Sequence, residues 1–423
     1  MINTIRHTAF AAIFLMVNVL FAQPVTIFSN ATIHTGNGKV IEKGYLVISQ
    51  DKILDVGEVL SVQHKNAKVI DLAGKHIYPG LIALNNYAGL NEIDAVRATR
   101  DYKEAGLFNP HARALIAYNT DSKILPTFSF NGILFTQAVP QGGVLSGSSS
   151  LMKTEGWNWE DAVVKADEGI HLNWPEIVAQ RGNNKKEDHI QERINEIELF
   201  FSNCVAYYKQ DYQTDKREIN IRFEAMRKLF EGKANLYLHV NGAKGIITAV
   251  NYFKQYYPNI KLVLVGAQDA WQTIPLIKHY NIPVILTNIH SLPKHAFSDV
   301  DQPFKTAAML TKEDVLVAVG HNGSWEARNI MFNAGTLAAY GLTQEQALAC
   351  ITYNAAKILG IDDKIGSLQK GLQASFVVSA GDILDMKTSK PEMVFLEGKP
   401  IDLMQNHQYQ LYLKYLKKYG ISE

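Results

Sequence analysis

Apolar and polar positions follow two rhythms along this chain. From residue 24 to 77 they alternate in short runs broken by turns. Val25-Thr26-Ile27-Phe28 and Ala31-Thr32-Ile33-His34 lead into Thr35-Gly36-Asn37-Gly38, and Gly44-Tyr45-Leu46-Val47-Ile48, Ile53-Leu54-Asp55-Val56-Gly57 and Lys68-Val69-Ile70-Asp71-Leu72 follow. Short alternating runs closed by Gly and Asn predict strands joined by hairpins. After Gly80 the runs become continuously apolar and are separated by helical stretches, the rhythm of buried parallel strands with crossover helices. Six strands are clear: Leu81 to Leu84, Gly132 to Val139, Leu236 to Val240, Lys261 to Val265, Pro283 to Leu286 and Val315 to Val319. Two weaker ones, Ser148 to Met152 and Gly169 to Leu172, complete the eight that a (β/α)8 barrel needs.

Helical spacing predicts a long charged helix over Ile190 to Glu231, an amphipathic one over Gly245 to Gln255, a short one over Trp271 to Tyr280, and one over Thr343 to Leu359 behind a Thr343 cap. After Gly366 the strand pattern returns in Ala374-Ser375-Phe376-Val377-Val378 and Met393 to Lys399, and Gln408 to Tyr419 reads as a basic terminal helix. The expected architecture is α/β: a TIM-like (β/α)8 barrel over residues 80–366, and a small β-sandwich from 23–79 and 367–423, begun before the barrel and finished after it.

Composition adds limits. Hydrophobic residues make up 47% and charged residues 20% of 423, so a packed globular protein is expected. The net charge of +1 gives no electrostatic case for nucleic acid or an acidic membrane surface. Arg6 and His7 precede an apolar run from Thr8 to Ala22, read as a signal peptide over residues 1–22 with cleavage after Ala22; an uncleaved anchor is the alternative. Cleavage would place the protein outside the cytoplasm, in the periplasm of a double-membrane bacterium, with no later segment able to span a bilayer. Cys204 and Cys350 sit in apolar helical patterns and read as buried thiols.

Several segments resemble the amidohydrolase superfamily, most closely its imidazolonepropionase-like branch. Asp71-Leu72-Ala73-Gly74-Lys75 followed by Pro79-Gly80-Leu81-Ile82 is one. The more specific ones are Gln346-Ala347-Leu348 with Thr352, Asn354-Ala355-Ala356-Lys357 and Leu359-Gly360, then Ile365-Gly366-Ser367-Leu368 with Gly371 and Ala374 to Val378. The resemblance implies the barrel fold and hydrolysis of non-peptide or small peptide-like C–N bonds by one or two divalent ions. It also implies where the ligands belong. The first histidine pair falls on Asn85 and Tyr87, the fifth-strand histidine on His239, the sixth-strand histidine on Gly266, and the eighth-strand aspartate, which also serves as general base, on Asn322. Only His239 keeps an imidazole. Asn and Tyr are poor substitutes toward zinc, and an Asn at 322 cannot take a proton at neutral pH.

His290 and His321 also follow predicted strands, so with His239 they are expected at the barrel mouth, where three imidazoles could hold a single zinc ion. The alternative is three hydrogen-bonded loop histidines. Asn85, Asn86 and Tyr87 could shape a polar pocket, and Arg97 and Arg113, in a charged insertion from Gly89 to Asp121, could clamp a carboxylate or simply pair within their loop. Trp157, Trp159 and Trp174 are expected near the mouth. Gly142 to Ser150 is rich in Gly and Ser but lacks the Gly-Lys-Ser/Thr ending of a phosphate loop, and no Gly-x-Ser-x-Gly elbow occurs. Two function classes stay open: a hydrolase with a reduced metal site, holding no metal or a single divalent ion, or a catalytically inactive barrel that binds a small molecule. Either could work as a homo-oligomer or in complex with an active relative.

Overall fold

The computed structural model describes residues 24–60, 66–176, 185–209 and 218–421. The expected leader lies outside the described residues. Two eight-stranded sheets organise the chain. The first joins both chain ends: β1 (Val25–His34), β2 (Val40–Ser49), β3 (Lys52–Gly57), β4 (Lys68–Asp71) and β5 (His76–Pro79) from the N-terminal side. The second is the barrel: β6 (Leu81–Asn86), β7 (Ile133–Ala138), β8 (Leu145–Lys153), β9 (Val163–Asn173), β10 (Asn235–Val240), β11 (Lys261–Gly266), β12 (Val284–Leu286) and β13 (Val317–Val319). Strands β14 (Phe376–Ser379), β15 (Pro391–Leu396) and β16 (Lys399–Pro400) return to the first sheet. The seam is the antiparallel pairing of β14 with β5, Phe376 opposite Pro79 and Val377 opposite Tyr78. Phe28, Phe376 and Phe395 close it from one side, with ring centroids 4.7–5.2 Å apart. Aromatic rings in such contact stabilise the pairing beyond their buried area.

All eight expected barrel strands form, but not all run parallel. β8 is antiparallel to both neighbours, with Phe135 opposite Lys153 on one side and Ser148 opposite Ile170 on the other. The reason is the connection. Only residues 139–144 lie between β7 and β8, too few for a crossover helix, and Gly142 and Gly143 turn it at φ of 83° and 65°. The Gly/Ser-rich segment is therefore a hairpin turn and the strand after it. Elsewhere the sheet is parallel, and it closes where Leu84 bridges Gly320 and the His321 amide donates to the Leu84 carbonyl at 3.0 Å.

The helical expectations hold with breaks. Thr343 caps its helix through a capping box with Gln346, but the run divides into Gln344–Ala349 and Tyr353–Leu359. The long charged stretch forms a helix over Lys185–Tyr208 and, later, two short helices over Ile221–Ala225 and Arg227–Phe230. Cys204 and Cys350 are buried and unpaired, and burial pushes both thiols up to about 12. Among the described residues no helix is long and apolar enough to cross a membrane.

Candidate functional site

The C-terminal ends of the parallel strands form the mouth, where enzymes with this architecture place their chemistry. Three layers of side chains lead up to it. In the lowest, Glu168 of β9 is fully enclosed. Its carboxyl accepts from Ser149 Oγ of β8, from Gln137 Nε2 of β7 at 2.6 Å, and from Tyr237 OH of β10 at 2.7 Å. Burial still raises its pKa, outweighing those three bonds, and burial likewise holds the Tyr237 phenol well above its usual range. Gly169 makes room for this arrangement: a Cβ there would lie 2.2 Å from the Tyr237 ring.

One layer up, His171 stacks on Tyr237 at 4.6 Å between centroids and meets His239, Nδ1 to Nε2 at 2.8 Å. One ring N–H donates to the other ring's lone pair, which requires at least one neutral imidazole. Burial drives the His171 pKa well below its ordinary value, with His239 adding to the effect, and burial brings His239 down to about 4. Both rings are neutral at pH 7.

The top layer is made of amides. Asn85, at φ 54°, receives a buried place at the end of β6; its backbone N–H donates to Gln137 Oε1 at 3.0 Å and its Nδ2 donates to Asn322 Oδ1 at 2.8 Å. Asn322 in turn donates to Asn288 Oδ1 at 3.3 Å. Asn tolerates the left-handed conformation because its side chain can bond locally. Gly266, at φ 85°, faces Asn241, whose Oδ1 would lie 2.5 Å from an added Cβ. The position where the resemblance expects a histidine is thus filled by Asn241.

Several expectations need correction. His239 pairs with His171, not with His290 or His321. His290 is exposed and bonds Thr336 Oγ1 through Nε2 at 2.7 Å, and His321 accepts from the Gly323 amide through Nδ1 at 3.0 Å. Asn86 turns away from the mouth, accepting from the Ala88 amide and from Thr136 Oγ1. Tyr87 lies half-buried against Tyr102 of the insertion, centroids 4.6 Å apart. Arg113 is committed to Asp167 through Nε and Nη2 at 3.0 and 2.8 Å, while Arg97 is exposed in a short 3-10 turn, so the two do not form a clamp. Because β8 is reversed, Trp157 and Trp159 follow it to the end of the barrel where β7 begins. Trp174 does stay beside β10, donating to Thr248 Oγ1 at 3.2 Å.

Sequence reasoning missed His171, Glu168, Asn241 and Thr287. A signal existed for the first: His171 interrupts an apolar strand, as Tyr237 and His239 do two residues apart in β10, and polar residues at alternate positions of a barrel strand point inward. Glu168 and the amides carry no comparable signal.

The donor set does not fit a divalent cation. The two imidazoles bond each other, Asn85 and Asn322 bond each other, and among the described residues no group of three or more His, Cys, Asp or Glu is placed to hold a metal ion. The arrangement offers something else. Seven buried side-chain atoms among the described residues lack a partner, and four of them, Asn85 Oδ1, His171 Nε2, Asn241 Oδ1 and Thr287 Oγ1, stand at the mouth ends of β6, β9, β10 and β12. Buried polar atoms without partners are costly in a finished core and expected in a binding site.

Residues 233–403 match the model of the Amidohydrolase family. Among curated proteins, imidazolonepropionase from Shewanella oneidensis is 55% identical over 47 residues, 11% of each chain. 5-methylthioadenosine/S-adenosylhomocysteine deaminase from Bacillus thuringiensis is 46% identical over 61 residues, 14% of each chain. The matched stretches thus span only 11% and 14% of those relatives. Among solved structures, an amidohydrolase from Thermotoga maritima superposes with a TM-score of 0.78 at 24% identity, covering 89% of this chain and 99% of that one. A Xaa-Pro dipeptidase with methionine in its active site superposes at 0.55 and 14%, covering 89% and 100%. With its barrel and its sheet built from both chain ends, this chain shares the fold of that Thermotoga maritima amidohydrolase.

Proposed function

We propose that this protein is an amidohydrolase-fold barrel that binds a small polar ligand at its mouth without a catalytic metal centre. The observation that carries the reading is the mouth itself: an Asn85–Asn322 amide pair where the resemblance expects two metal ligands, ringed by unpartnered buried atoms. Two of those atoms are amide oxygens, which accept only, so the ligand needs N–H or O–H donors. The solved amidohydrolase and dipeptidase support this reading through the fold, and the imidazolonepropionase and the deaminase through short segments of 47 and 61 residues.

A second reading has its own observation. The His171–His239 pair is buried at the mouth with His171 Nε2 unpartnered, so this ring nitrogen is the group that would accept a proton in a metal-free hydrolysis of a C–N bond. An assay of the purified protein on simple amide, imide and dipeptide substrates separates the readings. The binding reading expects no turnover, with or without added zinc or a strong chelator. Turnover that survives chelation and is lost in His171→Phe would establish the second reading, and turnover abolished by chelation would overturn both. Secretion through residues 1–22, and assembly as a homo-oligomer or with an active relative, remain proposals from the sequence pattern.

A further inference from the structure

At the opposite end of the barrel, beneath the start of β9 to β12, lies an open cleft of about 390 Å3. Five lysines line it: Lys165, Lys233, Lys254, Lys261 and Lys357. Among the described residues Glu168 is the only acid in its lining, and that carboxyl is turned to Ser149, Gln137 and Tyr237 inside the barrel. Such one-sided charge stands out in a chain whose net charge is +1.

The partners of these lysines do not neutralise them. Among the described residues Lys233 alone of the five has a carboxylate partner, Glu231, at 2.8 Å. Lys165 donates to the Leu359 carbonyl at 2.5 Å, and Lys254 reaches no closer than 3.5 Å to the Ile260 carbonyl. Lys254 and Lys357 lie over the rings of Tyr280 and Tyr353 at 5.8 and 5.4 Å. Lys261 is exposed. Burial lowers the pKa of Lys254, the sign of an ammonium withdrawn from water without a counter-charge.

Helix termini account for part of this charge. Lys254 sits in the last turn of the helix Ala243–Tyr256 and Lys357 in that of Tyr353–Leu359, where cations suit the negative end of the dipole. Each terminus is equivalent to about half a negative charge. Two termini and one enclosed carboxyl offset about half of the four ammonium groups that lack an ion pair. Lys165, though on a strand, also serves the terminus of Tyr353–Leu359 through the Leu359 carbonyl, which leaves Lys261, at a strand start, as the lysine that no helix terminus explains.

We infer that this cleft is a binding site for a compact anion bearing three or more negative charges, distinct from the barrel mouth and independent of what binds there. The chemistry shared by the candidate ligands is a cluster of oxyanions, either phosphoryl or carboxylate. Several ammonium groups around one concave surface suit such a ligand because each is a point charge with three rotatable donors.

The test is calorimetric titration of the full chain with inorganic tripolyphosphate and, separately, with tricarballylate, at physiological salt. Saturable one-to-one binding is expected for at least one of them, weakening as salt rises. Binding of tripolyphosphate alone assigns a phosphoryl ligand, and binding of tricarballylate alone assigns a polycarboxylate. The combined variant Lys254→Gln, Lys261→Gln, Lys357→Gln should weaken binding at least tenfold. Lys278→Gln, which breaks an ion pair with Glu313 elsewhere on the surface, should leave it unchanged. If the combined variant does not fold, Lys261→Gln alone, at an exposed strand start, should still weaken binding two- to fivefold. No saturable heat with either anion, or equal binding by the wild type and the lysine variants, overturns the inference.

Discussion

In the middle of the barrel, Glu168 accepts hydrogen bonds from Ser149, Gln137 and Tyr237, and every strand from β7 to β10 contributes to the closed network. Toward the mouth, Asn85, His171, Asn241 and Thr287 each hold a buried atom that none of the described residues satisfies. Both layers are polar, both are enclosed, and β9 and β10 contribute to both. A satisfied buried network fixes a structure, whereas an unsatisfied one stores free energy that a ligand can release. The comparison separates what the polar interior does for the fold from what it does for binding.

The largest effect should come from breaking the lower layer. Glu168→Leu strands three donors in a closed space, each costing about 1–3 kcal/mol, so urea denaturation should show a loss of about 3 kcal/mol or more. Glu168→Gln should cost less, because its amide oxygen still accepts. Equal stability of Glu168→Leu and the wild type would erase the distinction between the layers.

Next is Gly266→Ala. The left-handed φ and the Cβ contact of 2.5 Å with Asn241 Oδ1 act together, and a loss of about 2 kcal/mol is expected in the same assay. Adding Asn241→Gly should recover part of it, since the two positions share one space. This has a bearing on rebuilding a metal site. Asn85→His, Tyr87→His, Gly266→His and Asn322→Asp together would drive the new imidazole into Asn241, so the restored set also requires Asn241→Gly.

Acid should weaken the middle of the comparison. His171 and His239 have folded pKa values below the unfolded 6.5, with His239 at about 4. The unfolded chain then binds more protons between about pH 4 and 6.5, so stability is full above 6.5 and falls as pH drops through that window, by on the order of 2 kcal/mol. Glu168 has the opposite sign: its folded pKa is raised above 4.5, so its contribution is full below 4.5 and declines as pH rises through the folded value. A stability–pH curve measured on His171→Phe should lose much of the acid slope, and an unchanged slope would place the titration elsewhere.

The smallest effect is the most diagnostic of the mouth. Thr287→Val removes a buried hydroxyl that bonds nothing, so thermal denaturation should show no loss, or a gain of up to about 1 kcal/mol. Ser149→Ala, which takes a donor from Glu168, should cost about 1 kcal/mol or more.

Much of this fold was legible because apolar runs record burial directly. All eight barrel strands announced themselves, and the returning pattern after Gly366 disclosed a sheet built from both ends. The direction of β8 was not legible from apolarity, which is blind to strand polarity; the six-residue link at residues 139–144 held the information. At the mouth, aligning Asn85 and Asn322 each with a lost ligand pointed to both residues, but their contact at 2.8 Å was not expected. The His171–His239 pair was not expected, because the partner of a barrel histidine comes from a neighbouring strand 68 residues away with no local motif. Asn241 in the place of a sixth-strand side chain was equally hidden, since only the geometry of Gly266 reveals which neighbour fills the space.

The claim at the centre is that this mouth has exchanged metal ligands for an amide and imidazole network. Elemental analysis of the purified protein, equilibrated with zinc and then dialysed, addresses it without knowledge of any substrate. Less than one zinc ion per chain is expected, with no further loss in His239→Ala. Two zinc ions per chain, or one held through dialysis and lost in His239→Ala, would contradict the account.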